Sequence, residues 1–136
     1  MRLPAPTDQL AGCIWLPRIL MKARLLSRDA LSAEYVERFC HPTGVDGQFI
    51  AFFGLTKEEV LEAARFHNSQ VVKWFIALPG VTQERIAEWN HLAVNFGREG
   101  FPMAERLPVV LATTYQHLQD RNLQTVFEVL EADEEV

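Results

Sequence analysis

The stretch LPRILMKARLL, residues 16–26, decides the fold class, because it carries the first strong helical signal in the chain. Its apolar residues recur at the spacing of one helix face, at Leu16, Ile19, Leu20, Ala23 and Leu26. Proline is tolerated in the first turn of a helix but not in its interior, so Pro17 puts the helix start near Leu16. The pattern predicts an α-helix whose apolar arc is buried in a core.

Similar signals follow at short intervals along the chain. Thr56-Lys-Glu-Glu59 is a capping box, in which the two side chains satisfy each other's backbone amides. Helices are expected at residues 32–39, 49–53, 56–66, 69–78, 82–96, 104–119 and 123–131. No segment alternates apolar and polar residues as a strand does. The sequence therefore predicts an all-α fold, a compact orthogonal multi-helix domain of roughly six to eight short helices.

The length and composition indicate one soluble domain, residues 1–136, with 49% hydrophobic and 23% charged residues. The formal net charge is −5, and five acidic residues stand among the last nine. Without those five, residues 1–127 carry no net charge. Residues 1–9, with two prolines, are expected to form an extended lead-in. Residues 132–136 are expected to be a frayed acidic tail, because acidic side chains at a helix C-terminus oppose its dipole.

The composition also argues against several classes of function. A neutral body has no net attraction for phosphate, so no nucleic-acid partner is expected. No apolar run approaches the ~20 residues that cross a bilayer, and the first residues do not resemble a signal peptide, so no membrane association is expected. Cys13 and Cys40 are too few for a disulfide framework, and a cytoplasmic location is predicted.

Metal-ligand and cofactor motifs are also missing. Glu88-Trp-Asn-His91 is a single Glu-x-x-His pair, whereas di-iron bundles need two such pairs on different helices. Neither a paired-cysteine spacing nor a glycine-rich phosphate loop occurs in the chain. We therefore expect no metal and no cofactor.

The first helix is the leading candidate for a functional surface. Arg18, Lys22 and Arg24 flank its apolar arc, and Met21 and Leu25 lie on the far side of the helix. A helix that is apolar on two sides is usually packed on both, here against a second layer of the domain or a partner chain. Basic residues near a helix N-terminus are also compatible with an anion-binding cleft.

Two other places offer candidate site residues. Asp46 lies in a glycine-rich loop before Phe49, either as the N-cap of the next helix or as a functional residue. Trp74 and Trp89 are either plain core residues or the walls of a small-ligand pocket. Asn90, beside the apolar face of its helix, then either binds a neighbouring backbone group or lines that pocket.

Three segments of the chain are similar to those of one bacterial family. Residues 16–24 resemble its Leu-Pro-Arg segment, which continues with two hydrophobic residues and Asp-Lys-x-Arg. Asp46–Phe52 resembles its Asp-x-x-Phe segment, and Trp74 with Ile86–Trp89 resembles a pair of tryptophans on consecutive helices. The chain thus resembles domain of unknown function family 5069 over about residues 10–97. The resemblance implies an all-helical fold and supplies no activity.

The chain departs from that family at Met21, where the family commonly has Asp. An aspartate there would pair with Arg18 or Arg24 one helical turn away. The resemblance, with this departure, implies a role for the helix in packing or partner binding more than a site that needs a carboxylate.

The sequence as a whole favours a helical interaction or small-ligand-binding module that self-associates. A second copy would bind through Met21 and Leu25, and a small anionic ligand would be held by the basic helix.

The alternative is an enzyme that acts on a small anionic substrate. Arg18, Lys22 and Arg24 would hold the anion, and Asp46 or His41 would serve as the acid or base.

Overall fold

The computed structural model describes residues 3–134, and within them the predicted all-α class is confirmed. Eight α-helices are present, α1 (Leu16–Ser27), α2 (Ala33–Arg38), α3 (Val45–Phe53), α4 (Lys57–Ala63), α5 (Asn68–Ile76), α6 (Gln83–Val94), α7 (Arg106–Ala112) and α8 (Val126–Asp133). A 3-10 helix spans Gln116–Arg121. Over the described residues the count is therefore one above the predicted range.

A short hairpin precedes α1 and was not predicted from the sequence. Strand β1 (Gln9–Leu10) pairs antiparallel with strand β2 (Cys13–Ile14). The two residues between them have positive φ, 56° at Ala11 and 75° at Gly12, as a tight two-residue hairpin turn requires. Two residues per strand are too few to show the alternation by which a strand is recognised. The expected lead-in of residues 1–9 therefore contributes a strand residue, and its Pro6 is buried.

The chain divides into two compact units, Met1–Trp89 and Asn90–Val136, and the division falls within α6. One domain over residues 1–136 stays a prediction. In the first unit α1 packs against α4. The predicted arc of α1 is buried except at its end, where Leu26 is only half-buried and Leu25 takes the interior position.

Aromatic rings from α3, α5 and α6 form the core of the first unit. The ring centroid of Phe49 lies 5.1 Å from that of Phe53 and 5.2 Å from that of Trp89. The centroids of Phe53 and Phe75 are also 5.2 Å apart, in an edge-to-face arrangement. The indole nitrogen of Trp89 donates to the Ile14 carbonyl at 3.0 Å, so the hairpin is joined to this core.

Helix α3 begins four residues earlier than the sequence predicted. Its N-cap is Gly44, so Asp46 lies in the first turn of the helix and is not its N-cap. Gly47 had been interpreted as part of a loop, but its missing side chain allows close packing instead. A Cβ atom there would clash with the His41 carbonyl and with Cα of Pro42. Gly54 ends the helix with φ 70°.

The predicted helix starts at Thr56 and Thr82 are confirmed. The Thr56 amide donates to Oε1 of Glu59 at 2.9 Å, and the Glu59 amide donates to the Thr56 hydroxyl at 3.1 Å. The Thr82 hydroxyl accepts the Arg85 amide at 3.1 Å. These side chains satisfy backbone amides that the first helical turn leaves without a partner.

The second unit has a small core of its own, made by Leu107, Leu118 and Val129. The single helical region expected at 104–119 is interrupted near Thr113, which separates α7 from the 3-10 helix. Helix α8 continues to Asp133, so residues 132 and 133 are helical, not frayed. The rest of the expected acidic tail beyond residue 134 lies outside the described residues, as do residues 1 and 2 of the lead-in.

Gly47→Ala is expected to destabilise the protein although alanine is the better helix former. Helix propensity alone would stabilise α3 by up to about 1 kcal/mol, whereas the clash with the 41–42 backbone should cost about 1–3 kcal/mol or more. Chemical denaturation measures the free energy of unfolding. Gly44→Ala is the control, because the nearest atom to its Cβ is the flexible end of Arg38, and it should cost under about 1 kcal/mol. Greater stability of Gly47→Ala would contradict this packing.

Candidate functional site

The first two basic residues of α1 are buried, and neither lines an open cleft. Arg18 has no exposed surface and Lys22 is 6% exposed. Nη1 of Arg18 donates to the Pro4 carbonyl at 3.0 Å. Its guanidinium carbon lies 5.2 Å from the centroid of the Trp15 ring, and Nζ of Lys22 lies 4.9 Å from the same ring. Both cations therefore stack on Trp15.

Asp46 supplies the negative charge that pairs with Lys22. Its carboxylate is 2% exposed. Lys22 Nζ lies 3.2 Å from Oδ1 and 3.3 Å from Oδ2. The Trp15 indole also donates to Oδ1, at 2.8 Å, and the Cys40 amide donates to Oδ2 at 3.1 Å. We name Trp15, Arg18, Lys22 and Asp46 the Trp15 cluster; both oxygens of its carboxylate are engaged within the protein.

Trp15 itself has an unusual backbone conformation. It is the N-cap of α1, with φ 74°, a left-handed conformation that costs a bulky residue about 1–3 kcal/mol. Its amide donates to the Pro6 carbonyl at 3.1 Å, and its indole donates to Asp46. These contacts hold the strained residue in place. The Trp15 cluster thus connects the lead-in, α1 and α3, which is a structural role.

Arg24 binds a different part of the protein from Arg18 and Lys22. Its Nε donates to the Ala64 carbonyl at 3.0 Å, and its Nη2 donates to the Phe66 carbonyl at 2.9 Å and to the Asn68 side chain at 3.0 Å. Burial, and secondly the charge of Arg28, lowers the pKa of Arg24. The side chain binds backbone carbonyls that the end of α4 leaves unsatisfied, where a cation also suits the helix dipole. It holds the α4–α5 connection.

The two alternative acid–base residues, His41 and Asp46, are each engaged by neighbouring groups of the protein. The ring of His41 contacts Thr43, whose amide donates to Nδ1 at 3.1 Å and whose hydroxyl lies 2.9 Å from the same nitrogen. The carboxylate of Asp46 is held by Lys22 and Trp15. Of the predicted cations, Lys22 pairs with Asp46, Arg18 stacks on the same Trp15 ring, and Arg24 lies elsewhere, at the α4–α5 connection.

The predicted pocket of Trp74, Trp89 and Asn90 is wrong in one member. The Trp89 ring is buried among the phenylalanines of the core and so cannot wall an open pocket. Asn90 is half-buried and belongs to the second unit. Trp74 is half-buried and does line a cavity, which the sequence did not delimit.

That cavity is a groove of about 340 Å³ between α4 and α5. We name it the α4–α5 groove. Its lining residues are Glu59, Glu62, Ala63, Phe66, Gln70, Val71 and Trp74. Ala63 and Val71 are buried, whereas the Phe66 side chain is 48% exposed. Its volume lies at the lower end of the roughly 300–1,000 Å³ of ligand pockets.

Capping interactions fix two of the polar side chains of the groove. Glu59 belongs to the capping box of α4, and Oε1 of Gln70 accepts the His67 amide at 3.3 Å at the start of α5. Arg24 binds the Phe66 carbonyl in the connection between them. The groove is therefore built by contacts that also define the helix ends.

The two thiols are poor nucleophiles. Burial raises the pKa of Cys13 to about 12. Burial first, and the Asp46 carboxylate second, raise the pKa of Cys40 to about 12. The thiolate is the reactive form of cysteine, so both residues are almost wholly protonated at neutral pH.

Within residues 3–134 the structure shows neither a metal-ligand cluster nor a helix that could span a membrane. No group of three or more His, Cys, Asp or Glu side chains there is placed to hold a metal ion. None of the helices in that part of the chain has the length and apolarity needed to cross a membrane.

One signal in the sequence pointed to the α4–α5 groove. Val71 and Phe75 define the buried face of α5, while Trp74 lies one turn after the exposed Gln70. A tryptophan off the apolar face of a short helix indicates an aromatic surface. Its partners on α4 could not be identified from spacing, because they come from a different helix.

The chain belongs to the family described as Domain of unknown function (DUF5069), whose model matches residues 2–136. The match extends the resemblance found at residues 10–97 to both ends of the chain. Neither a curated protein nor a solved structure matches it. The family description names no activity.

Lys22→Met should destabilise the protein by about 3–5 kcal/mol, because it leaves the buried Asp46 carboxylate without its cation. The double variant Lys22→Met/Asp46→Asn should cost less than the sum of its two single changes, by at least about 1 kcal/mol. A double-mutant cycle by urea denaturation measures this coupling.

The matched control for that cycle is the exposed pair of Arg65 and Glu62, with side chains 69% and 63% exposed. The cycle Arg65→Met with Glu62→Gln should show coupling below about 1 kcal/mol. Additive costs for Lys22 and Asp46 would show that their ion pair does not stabilise the fold.

Both cysteines should resist thiol reagents at pH 8 until the protein unfolds. With a pKa of about 12 in place of 9.0, each folded thiol carries about a thousandfold less thiolate than in the unfolded chain. Absorbance after addition of an aromatic disulfide reagent measures the rate, with and without guanidinium. Rapid reaction of native Cys40, identified with the Cys13→Ala variant, would contradict a half-buried, protonated thiol.

Proposed function

We propose that this DUF5069 protein is a non-enzymatic binding module, and that it binds a small molecule with an apolar body in the α4–α5 groove. The observation that carries the proposal is the exposure of Phe66 and Trp74 on a concave surface. Phe49 and Phe75, in the same unit, are fully buried. An aromatic side chain left half in water forgoes the free energy that burial gives, about 1.5–3 kcal/mol for a phenylalanine, and a ligand can restore it.

The construction of the groove supports this proposal. Buried Ala63 and Val71 give it an apolar base, and Phe66 and Trp74 give it aromatic surface. Aromatic and apolar lining with a few placed polar groups is the usual composition of a small-molecule site. The capped helix ends and the Arg24 anchor fix its backbone before a ligand arrives, which lowers the entropy lost on binding.

The enzymatic alternative has less support. An enzyme that held an anion with Arg18 or Lys22 would need those side chains at a surface, and both are buried. Asp46 would need an oxygen available to a substrate, and both of its oxygens accept hydrogen bonds within the Trp15 cluster, from the Trp15 indole and from Lys22. A binding module without catalysis requires none of these groups.

Self-association through Met21 and Leu25 also loses its physical basis. Leu25 is buried within its own chain and Met21 is half-buried. Little apolar area is left there for a second copy. Self-association remains a proposal that would have to use a different surface.

The groove can be tested with N-phenyl-1-naphthylamine, an uncharged probe whose fluorescence rises in apolar surroundings. The protein should bind it saturably, and Phe66→Ala or Trp74→Ala should each weaken binding by about tenfold, the equivalent of about 1.4 kcal/mol of lost burial. A fluorescence titration measures the dissociation constant, and thermal unfolding checks that each variant is folded.

Ile76→Ala is the matched control for this titration. Ile76 lies on the same helix as Trp74 and is 56% exposed, but it does not line the groove. Its replacement should leave probe binding unchanged. Absence of saturable binding, or equal binding by wild type and Phe66→Ala, would refute the proposed function.

A further inference from the structure

We infer that the ligand of the α4–α5 groove is a small organic cation, an ammonium group attached to an apolar or aromatic body. The inference rests on the proposed function and adds the sign of the charge to it. The charge is opposite in sign to that of the small anionic ligand expected from the basic residues of α1.

The charges that line the groove are of one sign. Glu59 and Glu62 lie one turn apart on α4, and both line the groove. The other five lining residues are uncharged. Two carboxylates at the edge of an apolar groove attract a cation and repel an anion.

Neither carboxylate is neutralised deep inside the protein. Oε1 of Glu59 accepts the Thr56 amide at 2.9 Å, and this hydrogen bond orients the carboxylate without cancelling its charge. Glu62 pairs with Arg65 at 3.2 Å, three residues along, with both side chains more than half exposed. An exposed pair of this kind is weak, so a bound cation can take the place of Arg65.

The aromatic side chains favour the same sign of charge. The face of an aromatic ring carries negative partial charge, and tryptophan attracts a cation most strongly among the aromatic residues. Trp74 and Phe66 can therefore hold the apolar body of the ligand and also stabilise its charged group. An ammonium ion that carries apolar groups satisfies the rings and the two carboxylates at once.

Two basic residues of the neighbouring helices, Arg24 and Lys57, have their charged groups directed to other partners. The guanidinium of Arg24 is committed to the Ala64 and Phe66 carbonyls and to Asn68. Nζ of Lys57 lies 5.8 Å from the ring of Phe39, which is outside the groove. The charged residues that line the groove are thus Glu59 and Glu62, and Arg65 is the exposed partner of Glu62 beside it.

The test compares two competitors of the same shape for displacement of N-phenyl-1-naphthylamine. Benzyltrimethylammonium carries the charge, and neopentylbenzene is its uncharged counterpart. The cation should displace the probe at about tenfold lower concentration at low ionic strength. The advantage should shrink in about 1 M salt, where charges are screened beyond ~3 Å. Benzenesulfonate, an anion, should be the weakest competitor.

Matched variants test whether the preference for the cationic competitor arises from the residues of the groove. Glu59→Gln and Glu62→Gln should each weaken the cation by about fivefold and leave the uncharged competitor unchanged, as expected for one charge a few Å away. Glu58→Gln removes the same charge from the same helix outside the groove, and should have little effect. Trp74→Leu keeps an apolar side chain but removes the aromatic face, so it should reduce the preference for the cation.

The possible results separate this inference from the proposed function. Equal displacement by the charged and uncharged competitors, with probe binding that still depends on Phe66, would overturn the inference and leave the binding module intact. An equal loss in Glu58→Gln would also overturn it, because the attraction would then be general. Probe binding that is absent would refute both. Sedimentation that shows a dimer dissociated by Phe66→Ala would assign the groove to a second copy and overturn the small cation.

Discussion

A carboxylate buried inside a protein must be met by a positive charge or by several hydrogen-bond donors, because water no longer stabilises it. Asp46 meets this requirement in the first turn of α3. Lys22 of α1 supplies the charge, and the Trp15 indole and the Cys40 amide supply further donors. Each donor comes from a different part of the chain. The position of α1 relative to α3, and the strained backbone of Trp15 between them, depend on this one carboxylate.

The need to neutralise or hydrogen-bond a buried group also bears on which charged side chains of the first unit remain at the surface of the groove. Two cations of α1 have partners within the protein. Lys22 pairs with Asp46 in the interior, and Arg24 donates to a carbonyl that follows α4. Glu59 and Glu62, in contrast, stand at the edge of a groove with aromatic surface. The α4–α5 groove is therefore lined by acidic and not by basic residues. The basic residues of α1 are the more conspicuous feature of the sequence.

The helical class and many helix ends could be predicted from the sequence, because they depend on local chemistry. The start of α1 at Leu16 and the capping box at Thr56 depend on residues a few positions apart. The hairpin before α1 was missed because each of its strands has two residues, which is shorter than any periodicity. The early start of α3 was missed because Gly47 serves a contact with the 41–42 backbone, which is tertiary.

The candidate site could be predicted only in part, for a similar reason. Arg18, Lys22 and Asp46 were predicted as candidate ligand-binding residues, and the structure places all three side chains in the interior. A sequence does not distinguish a charge that is available to a ligand from one that binds a partner within the protein. Trp74 could be identified because it departs from the buried face of its own helix. Its partners Glu62 and Phe66 belong to another element, and their approach depends on how α4 and α5 are joined.

Arg24 links the Trp15 cluster to the α4–α5 groove. It lies on the same helix as Lys22, and it binds the connection that carries Phe66. One flank of α1 therefore engages the Trp15 cluster, and the other holds the α4–α5 connection. A ligand that binds the folded groove and not the unfolded chain stabilises the whole cooperative unit by mass action. Binding of the proposed ligand in the groove and ion pairing in the interior would thus act on the same folding equilibrium, because α1 contacts both regions.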